Sequence, residues 1–303
     1  MIKQRTLYGS IEIGGTKINC AVAETIQNSK TIPSILKEKK IQTKTPNHNL
    51  NEIFKFFNQY NIHSLGVGSF GPIELDKNAK NFGKITSTPK IPWRNFDLLN
   101  NLKEKFSCNI YIDTDVNVAA LAEGKWGFEN ELQSCLYLTI GTGIGGGMFL
   151  NNKLLHGISH PEMGHITVKK HPDDNFEGVC PYHEYCLEGL ASGFAIEKRF
   201  GKKAQNLNLK EKQFMKKIIS YYLAQALSNY ILILSPNKII LGGGVMNLNN
   251  LIIDIRSNVK KILNDYILKK EFNEKIDQYI VSPKLGKKSG IYGGFALCVF
   301  SNN

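Results

Sequence analysis

The 303-residue sequence predicts an α/β protein built of two lobes. Its length suits two lobes better than one, and a hydrophobic content of 42% provides for a large core. Both halves also contain the same pattern, a strand, a turn of glycines and a threonine, and a second strand, in residues 8–23 and 135–150. Because such a turn lets backbone N–H groups approach an anion, the repeat predicts a duplicated phosphate-binding unit.

The net charge of +12 means that nucleic-acid binding has to be considered. The lysines are spread along the chain in small groups, and no basic block alternates with aromatic residues. They therefore indicate a solvated surface rather than a nucleic-acid interface. A modest positive field would still favour an anionic nucleotide.

No apolar run approaches the roughly 20 residues that a membrane-spanning helix needs. The N-terminus lacks the apolar region of a signal peptide. Of the six cysteines, those outside residues 160–188 lie mostly in apolar runs, which favours buried thiols in a reducing compartment. We expect a cytoplasmic protein with no membrane partner.

The first turn, Gly14-Gly15-Thr16-Lys17, joins two predicted strands. Its glycines leave room for a phosphate against the backbone, while Thr16 and Lys17 add a hydroxyl and a cation. The dinucleotide pattern Gly-x-Gly-x-x-Gly and the Walker ending are both absent. On these residues alone, a plain glycine hairpin is an equal alternative.

Two further segments of the first half indicate ligand contact. Residues 51–62 carry apolar side chains at helical spacing, and 65–72 form a buried strand that enters a Gly/Pro turn. Turns of this kind meet ligands at the carboxyl ends of strands. Residues 83–93 form a polar loop suited to covering a small polar ligand.

Residues 110–123 predict a strand that breaks at Asp115 into an alanine-rich helix. This position suits Asp115 to act as a general base, with Asn117 contacting the ligand from the start of the helix. The alternative is that Asp113 or Asp115 only caps the helix. The role of Asp113 stays open at this point.

Three segments of the second half are predicted to be helical. Residues 187–200 form a helix that ends at Gly201, residues 211–234 form a long helix that ends before Pro236, and 289–297 form a helix of small residues. A short strand at 238–241 leads into the triple-glycine turn 242–246. Glycines after a strand allow the backbone to pack against a planar or anionic group.

Residues 160–188 combine metal-ligand residue types with carboxylates. Cys180, His183 and Cys186 are separated by two residues each, a spacing that lets a tight loop direct three ligands at one zinc ion. The fourth ligand would be one of three upstream histidines: His160, His165 or His171. Such a site is closed and therefore structural, and it would hold Glu162 and Glu188 near each other. The alternative is two ordinary free cysteines in a polar loop.

Together these segments resemble the ROK family (repressors, open reading frames and sugar kinases) of the actin-like ATPase superfamily, and within it most closely its bacterial fructokinases. The resemblance extends from Glu12 to Gly294. The matching segments are residues 9–17, 114–117, 139–147, 162–165 and 186–188. Two departures from the commoner family pattern are shared with the fructokinase branch: Glu12 replaces an aspartate, and His183 replaces one of three cysteines.

The resemblance implies phosphoryl transfer from ATP to a hexose, most simply D-fructose to fructose 6-phosphate, with Asp115 as general base. It implies Mg²⁺, a zinc ion and a homodimer. The implied nucleotide residues are Glu12, Gly14, Gly15, Thr16, Lys17, Thr139, Gly141, Thr142, Gly143, Gly242, Gly243, Gly244, Val245 and Met246. The implied sugar residues are Asn117, Glu162, His165 and Glu188. The implied zinc ligands are His165, Cys180, His183 and Cys186.

The resemblance also implies two α/β lobes of RNase H-like topology that close on ATP and sugar. We expect an N-terminal lobe of residues 1–117 with 290–303 packed back on it, and a C-terminal lobe of 118–289 with the zinc loop 160–188. A first strand near Thr6 leaves no room for the DNA-binding helices of the repressor members. The alternatives are a kinase for glucose, mannose or an N-acetylhexosamine, and a non-catalytic sugar sensor on the same scaffold.

Overall fold

The computed structural model describes residues 5–26, 30–128 and 131–300. Within these ranges no helix combines the length and apolar character that crossing a membrane requires. The helices are α1 (Pro46–Phe57), α2 (Leu98–Lys103), α3 (Asp115–Ala122), α4 (Leu187–Ala191), α5 (Gly193–Phe200), α6 (Leu209–Leu234), α7 (Leu251–Leu263), α8 (Lys270–Asn273), α9 (Ile276–Tyr279) and α10 (Ser289–Phe300).

The first sheet contains five strands: β1 (Arg5–Ile13), β2 (Lys17–Ile26), β3 (Ser34–Gln42), β4 (Ser64–Ser69) and β5 (Asn109–Thr114). Their order in the sheet is β3-β2-β1-β4-β5. β1 pairs antiparallel with β2 and parallel with β4, and β4 is parallel to β5. The register aligns Ile13 with Ser69 and Ser69 with Thr114. Three chain segments that follow parallel strands therefore start at one edge of this sheet.

The second sheet also contains five strands: β6 (Ser134–Ile140), β7 (Ile144–Leu150), β8 (Lys153–Leu154), β9 (Ile239–Gly242) and β10 (Ile280–Val281). Their order is β10-β9-β6-β7-β8. β6 is parallel to β9, β9 is parallel to β10, and β7 is antiparallel to β8. In both sheets a hairpin is thus flanked by a third strand on one side and by parallel strands on the other. The predicted α/β fold is confirmed, and the two sheets repeat one strand arrangement, whereas phosphate binding by the two hairpin turns stays a prediction.

The chain divides into two compact units. The first comprises the described residues up to 133, then 147–161 and the segment from 284 onward; the second comprises 134–146 and 162–283. The lobes drawn from the sequence, 1–117 with 290–303 and 118–289, divide the chain at other points. The structure groups α3 with the first unit because α3 packs against α10 and β4.

The small residues of α10 explain how closely this helix approaches the first sheet. A Cβ atom on Gly66 of β4 would collide with the backbone of Gly294, and one on Gly293 would collide with the backbone of Val118. The helix predicted at 289–297 is confirmed and extends to Phe300. Its glycines permit direct backbone packing, which brings α3 and its first residue, Asp115, to a fixed position.

The single helix predicted over 187–200 is wrong in one respect, because it is two helices. α4 ends at Ala191, and Ser192 caps α5 by accepting a hydrogen bond from the backbone N–H of Ala195 at 3.1 Å. α5 ends before Gly201, which has a φ of 68°, as the sequence predicted. The predicted long helix begins slightly earlier, at Leu209, where Asn208 and Glu211 form a capping box.

Candidate active site

The turn between β5 and α3 carries the predicted base. Thr114 caps α3, since its side-chain oxygen accepts a hydrogen bond from the backbone N–H of Asn117 at 3.1 Å. The alternative in which Asp113 or Asp115 is the cap is therefore wrong. Asp115 is half-buried, and its Oδ1 accepts from the N–H of Val116 at 2.9 Å. Asp115 is therefore not the N-cap residue, although its carboxylate accepts one N–H of the first turn of α3.

Asn117 lies under this turn and is fully buried. Its Nδ2 donates to Oδ1 of Asp113 at 2.8 Å, so the amide faces Asp113. The other oxygen of Asp113, Oδ2, lies 2.9 Å from Nε2 of His156. His156 was not singled out from the sequence, because only the folded chain brings it to β5.

The first glycine turn is a tight hairpin. The N–H of Gly14 donates to the carbonyl of Lys17 at 3.0 Å, and Thr43 fixes the turn from outside by donating its hydroxyl to the carbonyl of Gly14 at 2.8 Å. Thr16 and Lys17 are exposed residues of this turn. The turn begins directly after Ile13, at the edge where Thr114 also ends its strand.

Glu12 precedes this turn and packs inward. Its Oε2 accepts from Nδ2 of Asn19 at 2.6 Å, and its carboxyl group would collide with a Cβ on Gly290. Burial raises the pKa of Glu12, and Asn19 and Lys17 oppose that rise.

Lys90 is a second cation at this turn that the sequence reasoning missed. Its Cε lies where it would be 3.2 Å from a Cβ on Gly15. Beside it is a groove of ≈ 280 Å³ lined by Gly15, Thr43, Lys44, Thr45, Lys90, Pro92 and Trp93. The polar loop 83–93 was expected to cover a ligand. Lys90 is the residue of this loop that could place a positive charge beside the first glycine turn.

The second glycine turn joins β6 and β7. Its carbonyls are occupied by α5, since the N–H of Gly193 donates to Gly141 at 2.7 Å and that of Phe194 donates to Thr142 at 3.3 Å. A Cβ on Gly141 would meet nothing within 4 Å, whereas one on Gly143 would collide with Glu188. Thr142 is exposed and Thr139 is half-buried.

The third glycine turn follows β9, and the register pairs Gly242 with Thr139 of β6. Gly243 has a φ of 93°, and a Cβ there would collide with the backbone of Ile140. The sequence predicted nucleotide contact for all three glycines, and the structure adds that the fold itself requires a glycine at position 243. Only Gly244 has open space within 4 Å of a Cβ position. Val245 is buried and Met246 follows it in a short 3₁₀ helix.

A cluster of four potential metal ligands is formed by His165, Cys180, His183 and Cys186, whose ligand atoms lie within 4.8 Å of one another. Nδ1 of His165 lies 3.7 Å from the Sγ atoms of both cysteines, and Nδ1 of His183 lies 3.5 Å from Sγ of Cys180. Cys186 also accepts from the N–H of Gly189 at 3.3 Å as the cap of α4.

The donor set fits a zinc ion. Tetrahedral coordination with zinc–sulfur and zinc–nitrogen distances of about 2.3 and 2.1 Å separates the two donor types by about 3.6 Å. The measured separations of 3.5 and 3.7 Å agree with that value. Two thiolates and two imidazoles complete such a site without leaving a position for water.

The other two candidate histidines have different partners. Nε2 of His160 accepts from the backbone N–H of Ile73 at 3.2 Å, and burial lowers the pKa of His160. The ring of His171 packs edge-on against Tyr221, with 4.8 Å between the ring centroids. Neither histidine belongs to the cluster of four.

The predicted sugar carboxylates lie near each other in the second unit. The pKa of Glu162 is raised to about 7, mainly because its carboxyl group is buried away from water and secondly because of the negative charge of Glu188. Oε2 of Glu188 accepts from the N–H of Ile144 at 2.7 Å, beside the second glycine turn. Oε1 of Glu188 lies 3.8 Å from Nε2 of His165. One carboxylate is thereby placed between the metal-ligand cluster and a glycine turn.

Comparison with known proteins gives close relatives over the whole chain. The fructokinase of Zymomonas mobilis subsp. mobilis (strain ATCC 31821 / ZM4 / CP4) is 41% identical over 310 residues, which cover 100% of both proteins. A protein of Bacillus subtilis (strain 168), provisionally given the same name, is 45% identical over 291 residues, 96% of this chain and 95% of the relative.

Solved structures agree in fold. The ROK family glucokinase from Streptomyces griseus, in complex with glucose and AMPPNP, superposes with a TM-score of 0.71 at 22% identity and covers 99% of this chain and 100% of that one. At this identity the likeness concerns the fold alone. The family model described as "ROK family" matches residues 8–299. The chain belongs to the ROK family.

Proposed function

We propose that this protein transfers the γ-phosphoryl group of ATP to D-fructose and forms fructose 6-phosphate. Support comes from relatives named fructokinase that are 40–41% identical over 96–100% of the chain. The structural observation that carries the proposal is Asp115, a half-buried carboxylate at a strand-to-helix turn whose capping role Thr114 already fills.

In the proposed reaction Asp115 accepts the proton of the attacking sugar hydroxyl. The hydroxyl oxygen bonds to the γ-phosphorus while the bond to the bridging oxygen of ADP breaks. Transfer of this kind depends on positioning and on donors for the phosphate oxygens. Mg²⁺, when bound, neutralises charge on the β- and γ-phosphates.

The glycine turns are the proposed phosphate and nucleotide contacts. Thr16, Lys17 and Thr142 are exposed residues of these turns, and Gly141 and Gly244 border open space. Lys90 adds a cation beside Gly15. Glu12, which interacts with Lys17, is also a proposed nucleotide-binding residue.

Glu162, His165 and Glu188 are the proposed sugar contacts of the second unit. The proposed zinc ion, held by His165, Cys180, His183 and Cys186, would be structural, because a closed site does not activate water. It would fix the ring of His165 and, through it, the position of Glu188. Metal-bound histidines are commonly oriented through their second ring nitrogen in this manner.

The test is a coupled assay of ADP release with a panel of hexoses: fructose, glucose, mannose and N-acetylated hexosamines. We expect kcat/KM to be highest for fructose. A higher kcat/KM for another hexose would identify that sugar, rather than fructose, as the substrate. Tight sugar binding without ADP release from any member of the panel would instead identify a sugar sensor. A homodimer, implied by the family resemblance, is proposed as well and is tested by light scattering coupled to gel filtration.

A further inference from the structure

A charged cluster lies directly behind the turn that carries Asp115. Asp113 is only 5% exposed, and both of its oxygens accept hydrogen bonds. Oδ1 accepts from the N–H of Thr114 at 2.7 Å and from Nδ2 of Asn117 at 2.8 Å. Oδ2 lies 2.9 Å from Nε2 of His156. The side chains of Asn117 and His156 thus converge on one carboxylate.

His156 is bound in a way that suits the imidazolium. Its Nε2 faces Asp113, and the ring is also hydrogen-bonded to the backbone of Leu154. The hydrogen bond to Asp113 raises the pKa of His156, while desolvation and the positive charge of Lys77 oppose the rise. With 36% of its side chain exposed, the ring can exchange protons with solvent.

The other titratable groups around this pair do not supply the positive charge that His156 brings to Asp113. His160 lies close enough to interact with both Asp113 and His156, and burial lowers its pKa. Its Nε2 accepts from Ile73, so the ring is neutral. Glu74 acts on His160 in the opposite sense, raising that pKa.

The pair has consequences for Asp115. Asp113 and Asp115 are separated by one residue at the same turn, so an uncompensated charge on Asp113 would repel the ionised base. Asp113 also sets the orientation of Asn117, whose Oδ1 is buried without a hydrogen-bond partner among the described residues. A hydrogen-bonded, charge-neutral pair removes the repulsion and fixes residues 113–117 as one unit.

We propose that Asp113 and His156 are positioning residues for the phosphoryl transfer, and that together they hold the turn 113–117 so that Asp115 keeps its orientation as the base. The proposal rests on the proposed kinase function. It concerns residues that do not touch the reacting atoms and act through the strand-to-helix turn.

The sign of the pH dependence follows from the pair. His156 has a raised pKa in the folded protein, so the imidazolium and its contribution are present below the ordinary histidine pKa of about 6.5. The contribution is lost as pH rises through the raised value. We therefore expect kcat of the wild-type protein to fall on the alkaline side of its profile.

The experiment compares His156→Gln, His156→Arg, Asp113→Asn and the double variant His156→Gln/Asp113→Asn, with His48→Gln on the exposed face of α1 as control. Each protein is measured for kcat against pH and for melting temperature. We expect His156→Gln to lower kcat by about tenfold to hundredfold, since a misplacement of about 1 Å can cost 10²-fold in rate. The alkaline limb should disappear, His156→Arg should restore much of the rate, and the double variant should be no slower than the slower single variant.

The outcomes separate this inference from the proposed function. If the wild-type protein is active and His156→Gln has the same kcat and the same pH profile, the positioning role is overturned and the kinase function stands. A lower melting temperature with unchanged kcat identifies a purely structural pair and also overturns it. Absence of turnover by the wild-type protein on every hexose refutes the kinase and the positioning role together.

Discussion

Nε2 of His165 lies 3.8 Å from Oε1 of Glu188, while Nδ1 of the same ring lies 3.7 Å from the sulfurs of Cys180 and Cys186. One imidazole therefore connects the metal-ligand cluster to a proposed sugar carboxylate. Glu188 also accepts from the N–H of Ile144. A rotation of His165 that displaced Glu188 would therefore disturb its hydrogen bond to the second glycine turn. A structural metal at this position would influence substrate binding without taking part in the reaction.

The first prediction concerns that metal. Elemental analysis should find one zinc per chain, and Cys180→Ser should lose it. Loss should lower the melting temperature by several degrees, since about 1 kcal/mol shifts it by about 2–4 °C in large domains. It should raise KM for the sugar more than KM for ATP. Cys108→Ser is the control, because Cys108 is also half-buried but lies outside the cluster.

A zinc-free wild-type protein would show that the proposed zinc site does not exist. Retention of zinc by His165→Ala, together with its loss from His160→Ala or His171→Ala, would contradict the ligand set. In that case the placement of Glu188 by a metal-bound His165 would have to be abandoned.

The second prediction concerns the base. Asp115→Asn should lower kcat by about 10² to 10⁴, the usual contribution of a general base. Folding should be unaffected, because Thr114 provides the cap of α3. The measurements are single-turnover kinetics and thermal unfolding, with Asp265→Asn as an exposed control. A variant that keeps more than about a tenth of the wild-type kcat would show that Asp115 is not the base.

The third prediction separates two neighbouring glycines. Gly244→Val should raise KM for ATP and spare the melting temperature, since a Cβ on Gly244 meets no atom within 4 Å. Gly243→Ala should lower the melting temperature, because Gly243 has a φ of 93° and faces the backbone of Ile140. KM for the sugar is the internal control. An unchanged KM for ATP in Gly244→Val would place the nucleotide elsewhere.

The sequence predicted the parts of the site that depend on local pattern. The break at Asp115 could be recognised because an apolar strand run ends in polar residues and an alanine-rich helix follows. The glycine hairpins were recognisable for the same reason. The spacing of Cys180, His183 and Cys186 also indicated a shared metal, whereas it left three histidines as candidates for the fourth ligand.

Tertiary contacts determined the rest. His156 and Lys90 reach their sites only through folding, and no local pattern marks either residue. The division of one predicted helix into α4 and α5 has the same origin, since the N–H of Gly193 donates to the carbonyl of Gly141. The steric requirement for glycine at position 243 could not be predicted, because the sequence does not show that the backbone of Ile140 lies against this residue.

The last prediction concerns Glu123, a fully buried carboxylate at the end of α3. It accepts from the N–H groups of Lys284 and Leu285 at 3.0 Å each and from the hydroxyl of Ser289 at 2.7 Å, and so fixes the start of α10. Glu123→Ala would leave these donors without their acceptor, at about 1–3 kcal/mol for each donor that stays buried. We expect the free energy of unfolding in urea to fall by about 2 kcal/mol or more.

The pH dependence of that loss is part of the same prediction. Burial raises the pKa of Glu123, and its hydrogen bonds to Ser289, Leu285 and Lys284 oppose the rise. Since the folded pKa lies above the unfolded one, the protonated form adds stability at acid pH that is lost as pH rises through the folded value. The difference in unfolding free energy between wild type and Glu123→Ala should therefore shrink from mildly acid to neutral pH. Glu104→Ala, at an exposed glutamate, should show no such trend. A constant difference across this range would mean that Glu123 titrates alike in both states.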